Sequence, residues 1–259
     1  MASTKALVIS GFGVNCEYET AHSIEQVGGE AHIHHLNKLI EHPSILESYN
    51  FLVFPGGFAF ADYLGSGKVF SNKINYKLKD QLKQFVNSGK LIMGICNGFQ
   101  VLAKIGLLPY PTFEQKITLT SNDSGKFEDR WVKLKINKNS PCIFTKNMEY
   151  LDLPIRHGEG KLVPRDDEIL LDIINSNLFI AQYVDPMGRL ARYPHNPNGS
   201  VHNIAGICDA TGRVLGLMPH PECFNHYTNH PLWTKYGKIN PNGLKIFENA
   251  VKYLRNQDV

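Results

Sequence analysis

Short apolar runs alternate with helix-like segments through the first half of the chain. Four runs are rich in residues typical of buried strands: 6–9, 31–35, 51–54 and 91–95. Residues 18–27 and 69–86, which lie between them, have the periodicity of helices. Because parallel strands need a long crossover connection, usually a helix, this alternation predicts an α/β fold with a doubly wound, mainly parallel sheet.

The second half is richer in strand patterns. Strands are predicted at residues 130–136, 179–183, 204–208 and 214–218. Residues 209–212, Asp-Ala-Thr-Gly, are typical of a hairpin turn between the last two strands, and a closing helix is predicted at residues 243–254. We find no linker, repeat or low-complexity segment. We therefore expect a single domain over residues 1–259, with antiparallel strands that extend the parallel sheet.

Composition argues against several classes of function. The chain has 259 residues, of which 42% are hydrophobic, so it can bury a large core. Its 27 basic and 24 acidic residues give a net charge of +3, which is too small to indicate binding to nucleic acid or to a membrane. The five cysteines show no disulfide framework, and no apolar segment indicates a signal peptide or membrane span. We expect a cytoplasmic protein.

Residues 94–98, Gly-Ile-Cys-Asn-Gly, stand out as a candidate for chemistry. They place Cys96 between the predicted strand at 91–95 and a helical pattern at 99–105. A tight turn from strand to helix is where many α/β enzymes carry their nucleophile. Gly94 and Gly98 leave room for a strained backbone, and a helix N-terminus favours a negative charge. This pattern predicts that Cys96 is a nucleophile.

A nucleophilic cysteine needs a base, and the base needs a group that orients it. Residues 218–222, Met-Pro-His-Pro-Glu, supply both, because side chains two apart in an extended segment point the same way. Glu222 is thus predicted to orient His220. Residues 55–58, Pro-Gly-Gly-Phe, follow a predicted strand. The backbone N–H groups of Gly57 and Asn97 are the predicted oxyanion hole.

Other interpretations of the same residues stay open. Cys96 alone is also typical of a small buried hydrophobic residue, and residues 157–160, His-Gly-Glu-Gly, are typical of a structural loop. Cys16 follows the first predicted strand and is left undecided. A zinc site is a further alternative, with four residues as ligands: His220, Cys223, His226 and His230. Since no paired Cys-x-x-Cys supports it, we expect no metal in the site.

As an ordered set, these motifs resemble class I glutamine amidotransferases. That family uses a Cys-His-Glu triad, with the Cys in a Gly-x-Cys-x-Gly elbow and the His and Glu two residues apart near the C-terminus. Within the class, the chain is most similar to the glutaminase components of phosphoribosylformylglycinamidine synthases of de novo purine biosynthesis. The motifs that carry this similarity are residues 55–58, 62–64, 94–100, 106–109, 157–160, 196–200 and 218–222.

The resemblance implies a flavodoxin-like fold and a glutaminase mechanism. Cys96 would attack the side-chain carboxamide of glutamine, His220 would protonate the departing ammonia, and a glutamyl thioester would remain on Cys96 until water hydrolyses it. Glu222 would hold His220. The residues implied to contact glutamine are Gly56, Gln100, Arg156, His157 and Gly158.

The resemblance also implies partners. Ammonia would pass to a synthetase subunit of phosphoribosylformylglycinamidine synthase, and a small bridging subunit is a further candidate partner. ATP and Mg²⁺ are expected on that synthetase and no cofactor in this chain, in agreement with the absence of a Gly-x4-Gly-Lys-Ser/Thr loop. Two departures bear on the interface: Cys223 stands where many family members have Arg, and residues 225–238 form a longer segment that implies an altered partner interface or a cover over the site.

Three other functions share part of this pattern. A PfpI-type cysteine peptidase or hydrolase would have a His after the nucleophile, where this chain has Asn97. A non-catalytic scaffold subunit would have no need of the intact triad. An amidotransferase that serves another synthetase is the nearest rival, and residues 196–200 argue against it.

Overall fold

The computed structural model describes residues 4–256. The strands within this range are β1 Lys5–Ser10, β2 Glu30–His35, β3 Phe51–Phe54, β4 Leu91–Ile95, β5 Ile117–Thr120, β6 Glu128–Ile136, β7 Tyr150–His157, β8 Lys161–Pro164, β9 Phe179–Val184, β10 Ile204–Cys208 and β11 Val214–Leu217. The helices are α1 Glu17–Gln26, α2 Leu36–Glu41, α3 Lys68–Lys77, α4 Lys79–Asn87, α5 Asn97–Ile105, α6 Asp167–Asn175, α7 Trp233–Tyr236 and α8 Leu244–Arg255.

Nine strands form one sheet in the order β2-β1-β3-β4-β11-β10-β9-β6-β7. The first five are parallel, and every later pairing, from β11–β10 to β6–β7, is antiparallel. Strands β5 and β8 form a separate antiparallel pair. The predicted α/β class, with its mainly parallel sheet and antiparallel extension, is confirmed, and so is the hairpin between β10 and β11.

The parallel part of the sheet changes direction at β1. The chain runs from β1 to β2 on one side and returns to β3 on the other. Because such crossovers are right-handed, the helices that follow β1 and β3 lie on opposite faces of the sheet. Ligands of these sheets bind beyond the carboxyl ends of the strands at such a reversal. Here the loops that follow β1 and β3 meet in an antiparallel bridge between Val14 and Gly57.

Strands β3 and β4 lie at the centre of the core. All of their side chains are buried, as expected for parallel strands covered on both faces. Each large aliphatic side chain buried in this way contributes about 1.5–3 kcal/mol to stability. The ends of β4 and β11 are therefore held firmly side by side, with Leu217 opposite Ile95.

Some elements differ from the sequence prediction. The predicted helix at 69–86 is two helices, α3 and α4, because Leu78 leaves the helical conformation at φ −131° and ψ 9°. Sequence patterns also did not predict β5, β7, β8, α2, α6 and α7. Strand β7 contains Pro154, which argues against a central strand; β7 lies at the sheet edge, where proline is tolerated.

Strands from both halves of the chain join the same nine-stranded sheet. The predicted domain, residues 1–259, includes residues 1–3 and 257–259, which lie outside the described residues. None of the helices within residues 4–256 has the length and apolar character needed to cross a membrane.

Candidate active site

Cys96 occupies the turn between β4 and α5. Its backbone has φ 50° and ψ −106°, a conformation that costs a residue with a side chain about 1–3 kcal/mol. The neighbouring glycines are required by close packing. A Cβ atom on Gly98 would lie 1.8 Å from the carbonyl oxygen of Phe54, and one on Gly94 would lie 2.7 Å from the backbone of Gly98. The turn therefore has the form of a nucleophile elbow.

His220 and Glu222 form a buried ion pair beyond the end of β11. Nδ1 of His220 lies 2.6 Å from Oε1 of Glu222, and the two side chains are 2% and 0% exposed. The backbone N–H of His220 donates to the carbonyl oxygen of Pro154 at 2.9 Å, which ties the pair to β7. Burial alone would lower the pKa of His220, but the Glu222 carboxylate and the neighbouring thiols raise it well above its ordinary value. The imidazole thus favours the charged form.

Cys96 and His220 meet across the ends of adjacent strands. The backbone N–H of Cys96 donates to the carbonyl oxygen of Leu217 in β11 at 2.8 Å. The Cys96 thiol is close enough to His220 to contribute to the rise in the imidazole pKa, but it donates its hydrogen bond to the carbonyl oxygen of Arg156, at 3.6 Å. Nε2 of His220 is buried and has no hydrogen-bond partner among residues 4–256. It remains available to Cys96 or to a substrate.

The predicted oxyanion hole is formed where the loop after β3 meets the start of α5. Gly57 has φ 148°, and a Cβ atom there would lie 2.7 Å from Cα of Val14. Within the described residues, the backbone N–H groups of Gly57 and Asn97 donate no hydrogen bond. Asn97 is the first residue of α5, where the helix dipole favours negative charge. Free N–H groups in this position can donate hydrogen bonds to an oxyanion. Their role in catalysis stays a prediction.

The side chains of Asn97 and Gln100 are part of the framework. The amide nitrogen of Asn97 donates to Gln100 at 2.9 Å, and its oxygen accepts from the N–H of Ala59 at 3.2 Å. The amide nitrogen of Gln100 donates to the carbonyl oxygen of Glu159 at 2.5 Å. Gln100 is buried and both ends of its amide are used within the protein. Its predicted contact with glutamine stays a prediction without support from these bonds.

The turn at residues 157–160 is organised by Asn122, which sequence patterns did not indicate. The amide oxygen of Asn122 accepts from Nδ1 of His157 at 3.2 Å and from the N–H of Gly160 at 3.0 Å. Burial, with the charge of His220 second, lowers the pKa of His157 to about 3, so this imidazole is neutral. The carbonyl of Arg156 contacts Cys96, and Gly158 follows His157 directly, so the turn borders the site.

A second cysteine lies in the site. The thiol of Cys16, at the end of the loop after β1, offers a ligand atom within 4.8 Å of those of His220 and Glu222. A Cβ atom on Gly56 would lie 2.6 Å from Cε1 of His220 and 3.2 Å from Sγ of Cys16. Burial raises the pKa of the Cys16 thiol. The position of Cys16 after a strand was the only sequence signal for this contact.

Cys223 lies next to the ion pair of His220 and Glu222. Its sulfur is 3.7 Å from Oε1 of Glu222 and is a hydrogen-bond acceptor for the guanidinium of Arg156. Burial, together with the Glu222 carboxylate, raises the pKa of the Cys223 thiol to about 11. The predicted substrate-binding side chain of Arg156 is thus directed at this thiol.

The alternative zinc cluster is wrong. His226 is exposed and caps the short turn Tyr227–Asn229, while His230 packs on Trp131 of β6 with ring centroids 4.8 Å apart. Within residues 4–256, the group with at least three candidate metal ligands contains Cys16, His220 and Glu222 instead. The segment at residues 225–238 lies against β6 through the contact between His230 and Trp131.

Tyr183 of β9 is a further residue near the triad that the sequence did not indicate. It is fully buried, and its hydroxyl accepts a hydrogen bond from the amide of Asn198 at 3.3 Å. Burial raises its pKa, with charge on Cys96 adding to the rise and His220 opposing it. Asn198 also accepts from the hydroxyl of Ser200, so residues 196–200 support the back of the site.

Comparison with known families agrees with this geometry. A family model described as the CobB/CobQ-like glutamine amidotransferase domain matches residues 3–254. The chain belongs to the glutamine amidotransferase family. This amidotransferase is 45% identical to the phosphoribosylformylglycinamidine synthase subunit PurQ of Dehalococcoides mccartyi, over 98% of this chain and 99% of that protein. It is 43% identical to the protein of the same name from Methanococcus maripaludis, over 96% and 97% of the two chains.

A solved structure gives the same assignment. The structure titled PurLQS from Thermotoga maritima contains a chain that is 32% identical to this amidotransferase, with a TM-score of 0.72, and the match covers 98% of this chain and 100% of that one. The predicted family and the predicted enzyme class are therefore confirmed. These relatives favour an amidotransferase over a PfpI-type peptidase or a non-catalytic scaffold.

Proposed function

We propose that this amidotransferase is the glutaminase subunit of a phosphoribosylformylglycinamidine synthase, built as a single domain over residues 1–259. The observation that carries the proposal is the meeting of Cys96, on its strained elbow, with the buried pair of His220 and Glu222 at the ends of adjacent strands. The full-length similarity to PurQ proteins supports the choice of synthase.

The reaction begins with attack of the Cys96 thiolate on the side-chain carbonyl carbon of glutamine. The N–H groups of Gly57 and Asn97 stabilise the negative oxygen that forms, and one such donor lowers the barrier by about 3 kcal/mol. Protonated His220 gives its proton to the amide nitrogen as the carbon–nitrogen bond breaks and ammonia leaves. The high pKa of His220, due to Glu222, keeps that proton available.

The second half of the reaction releases glutamate. The imidazole of His220, now neutral, removes a proton from water, and the resulting hydroxide attacks the glutamyl thioester on Cys96. Collapse of the second tetrahedral intermediate breaks the carbon–sulfur bond and returns the thiolate. Glu222 accepts from Nδ1 of His220 throughout, so Nε2 faces the reacting atoms. Gly56, Arg156, His157 and Gly158 are the proposed glutamine-binding residues.

The ammonia is used by a partner. Free ammonia is protonated in neutral water and ammonium is no nucleophile, so direct transfer to a synthetase is required for efficient use. We assign ATP and Mg²⁺ to that synthetase, which would convert formylglycinamide ribonucleotide to formylglycinamidine ribonucleotide. A small bridging subunit and a cytoplasmic location are further parts of the proposal. All five cysteines are free thiols, which is consistent with a reducing compartment.

The test uses the complex of this chain with its synthetase, assayed with glutamine and, separately, with an ammonium salt. Cys96→Ala should abolish glutamine-driven synthesis and leave ammonia-driven synthesis intact. Cys142→Ala, at a buried cysteine that no proposed step uses, is the control and should retain both activities. Loss of both activities in Cys96→Ala, with the complex still assembled, would contradict the proposal. Glutaminase activity without transfer to formylglycinamide ribonucleotide would favour an amidotransferase for another synthetase.

A further inference from the structure

The Cys16 thiol has no part in the proposed glutamine chemistry, yet it is buried against the base. Cys16, His220 and Glu222 are 5%, 2% and 0% exposed, and one ligand atom from each lies within 4.8 Å of the other two. In this group, Oε2 of Glu222 is buried without a hydrogen-bond partner among residues 4–256. A buried polar atom without a partner is costly unless a ligand completes it.

The three donors are those that zinc prefers. Thiolate, imidazole and carboxylate bind Zn²⁺ in tetrahedral sites, and the soft sulfur selects it over Mg²⁺ or Ca²⁺. With bonds of about 2.0–2.3 Å, ligand atoms in such a site lie roughly 3.3–3.8 Å apart. Nδ1 of His220 faces Glu222, at 2.6 Å from Oε1, so the metal would take the place of the proton between them after side-chain movements of about 1 Å. The fourth position is left for water.

We propose that Cys16, His220 and Glu222 form an inhibitory site for Zn²⁺. Binding replaces the proton on the Cys16 thiol and the proton on Nδ1 of His220, both of which leave to solvent, and takes the imidazole and its carboxylate out of the glutaminase reaction. Zinc would thereby stop the supply of ammonia without any effect on the synthetase. The binding site stands on its own geometry, and only its inhibitory effect rests on the proposed function.

The first measurement is metal binding by the isolated chain, independent of activity. Co²⁺ serves as a spectroscopic substitute for Zn²⁺, because a thiolate ligand and a tetrahedral geometry both give characteristic absorption. Wild type should bind one ion with these bands, and Zn²⁺ should displace it. Cys16→Ala should weaken binding at least about 100-fold and remove the thiolate band. Cys16→Ser keeps the volume of the side chain and serves if the alanine variant is unstable.

Two cysteine variants serve as matched controls. Cys223→Ala removes a thiol next to Glu222 that is outside the ligand group, and it should change the affinity less than about threefold. Cys96→Ala should likewise keep the metal. If Cys96→Ala loses the ion and Cys16→Ala keeps it, the metal is bound by the nucleophile and the proposed site is overturned. Binding that is unchanged in both Cys16 variants would also overturn it.

The second measurement is inhibition in the synthetase complex. Glutamine-driven synthesis by wild type should fall when Zn²⁺ is added and recover with a chelator, while ammonia-driven synthesis is unchanged. The Zn²⁺ concentration for half inhibition should rise at least about 100-fold in Cys16→Ala. Metal binding at Cys16 without inhibition would mean that the site exists and that the proposed role of His220 and Glu222 is wrong.

Discussion

Gly56 faces the imidazole of His220 so closely that a side-chain carbon on Gly56 would lie 2.6 Å from Cε1 of the ring. The loop after β3 and the segment after β11 therefore fix each other's position. The two segments follow different strands and are far apart in the sequence, yet they contact each other in the site. The orientation of the base depends on the absence of a side chain at position 56.

Gly56→Ala should impair the glutaminase with little effect on the fold. The backbone at Gly56 does not have a positive φ, so alanine fits the main chain, but its methyl group must displace His220 or Cys16. A displacement of about 1 Å at a catalytic group costs about 100-fold in kcat. The measurement is glutamine hydrolysis in the complex, with ammonia-driven synthesis and thermal unfolding as controls. If Gly56→Ala hydrolysed glutamine at the wild-type rate, catalysis would not require the present position of His220.

Glu222→Gln should shift the pH dependence of the reaction. The carboxylate opposes the effect of burial on His220, and its loss lets burial lower the imidazole pKa. We expect kcat to fall at least about 100-fold, since the ring also loses its orienting partner. The limb of the kcat/KM profile that reports His220 should move to lower pH. An unshifted profile would mean that another group controls this limb.

His157 should make the protein sensitive to acid. Its folded pKa of about 3 lies below the ordinary value of 6.5, so between these values the unfolded chain binds a proton that the folded chain does not. Stability from this group is thus complete above about pH 7 and falls as the pH falls. Between pH 7 and pH 5.5 the loss is about 1.3 kcal/mol.

The variant His157→Gln removes this titration. Urea unfolding at both pH values should show that wild type loses about 1.3 kcal/mol more than the variant over this interval. All other titrating groups are common to the two proteins, so the difference isolates His157. Equal losses would mean that His157 is not buried in its neutral form.

Gly98→Ala should destabilise the protein although alanine is a better helix former. The new methyl group would lie 1.8 Å from the carbonyl oxygen of Phe54, and a backbone atom of a central strand cannot easily move. We expect a loss of about 3 kcal/mol in the free energy of unfolding. Gly158→Ala is the matched control, because its nearest contact would be 4.0 Å from Phe127. Equal stability of the two variants would contradict the packing of α5 on β3.

Sequence patterns predicted the central part of the fold because its signals are local. Buried parallel strands such as β4 are continuous apolar runs, and the elbow at Cys96 lies directly between such a run and an apolar helix. The pairing of His220 with Glu222 could also be predicted from a local pattern, since the two residues are only two apart in the sequence.

The rest of the site depends on contacts distant in sequence. Pro154 hides β7 from strand prediction, and β7 carries the carbonyl that holds the backbone of His220. The loop that carries Cys16 has no periodic pattern, and its path is set by the bridge between Val14 and Gly57. Asn122 and Tyr183 are likewise distant in sequence from Cys96 and His220, and only the folded structure places them near the site. The contact between the buried Cys16 thiol and His220 therefore could not be predicted from the sequence.

The most direct test of the central claim is labelling of the protein, in complex with its synthetase, by the glutamine analogue 6-diazo-5-oxo-norleucine. Intact mass and peptide mapping would be measured with and without glutamine. We predict a single adduct on Cys96 that glutamine prevents. Adducts on Cys16 or Cys223 with Cys96 unmodified would contradict the assignment of the nucleophile.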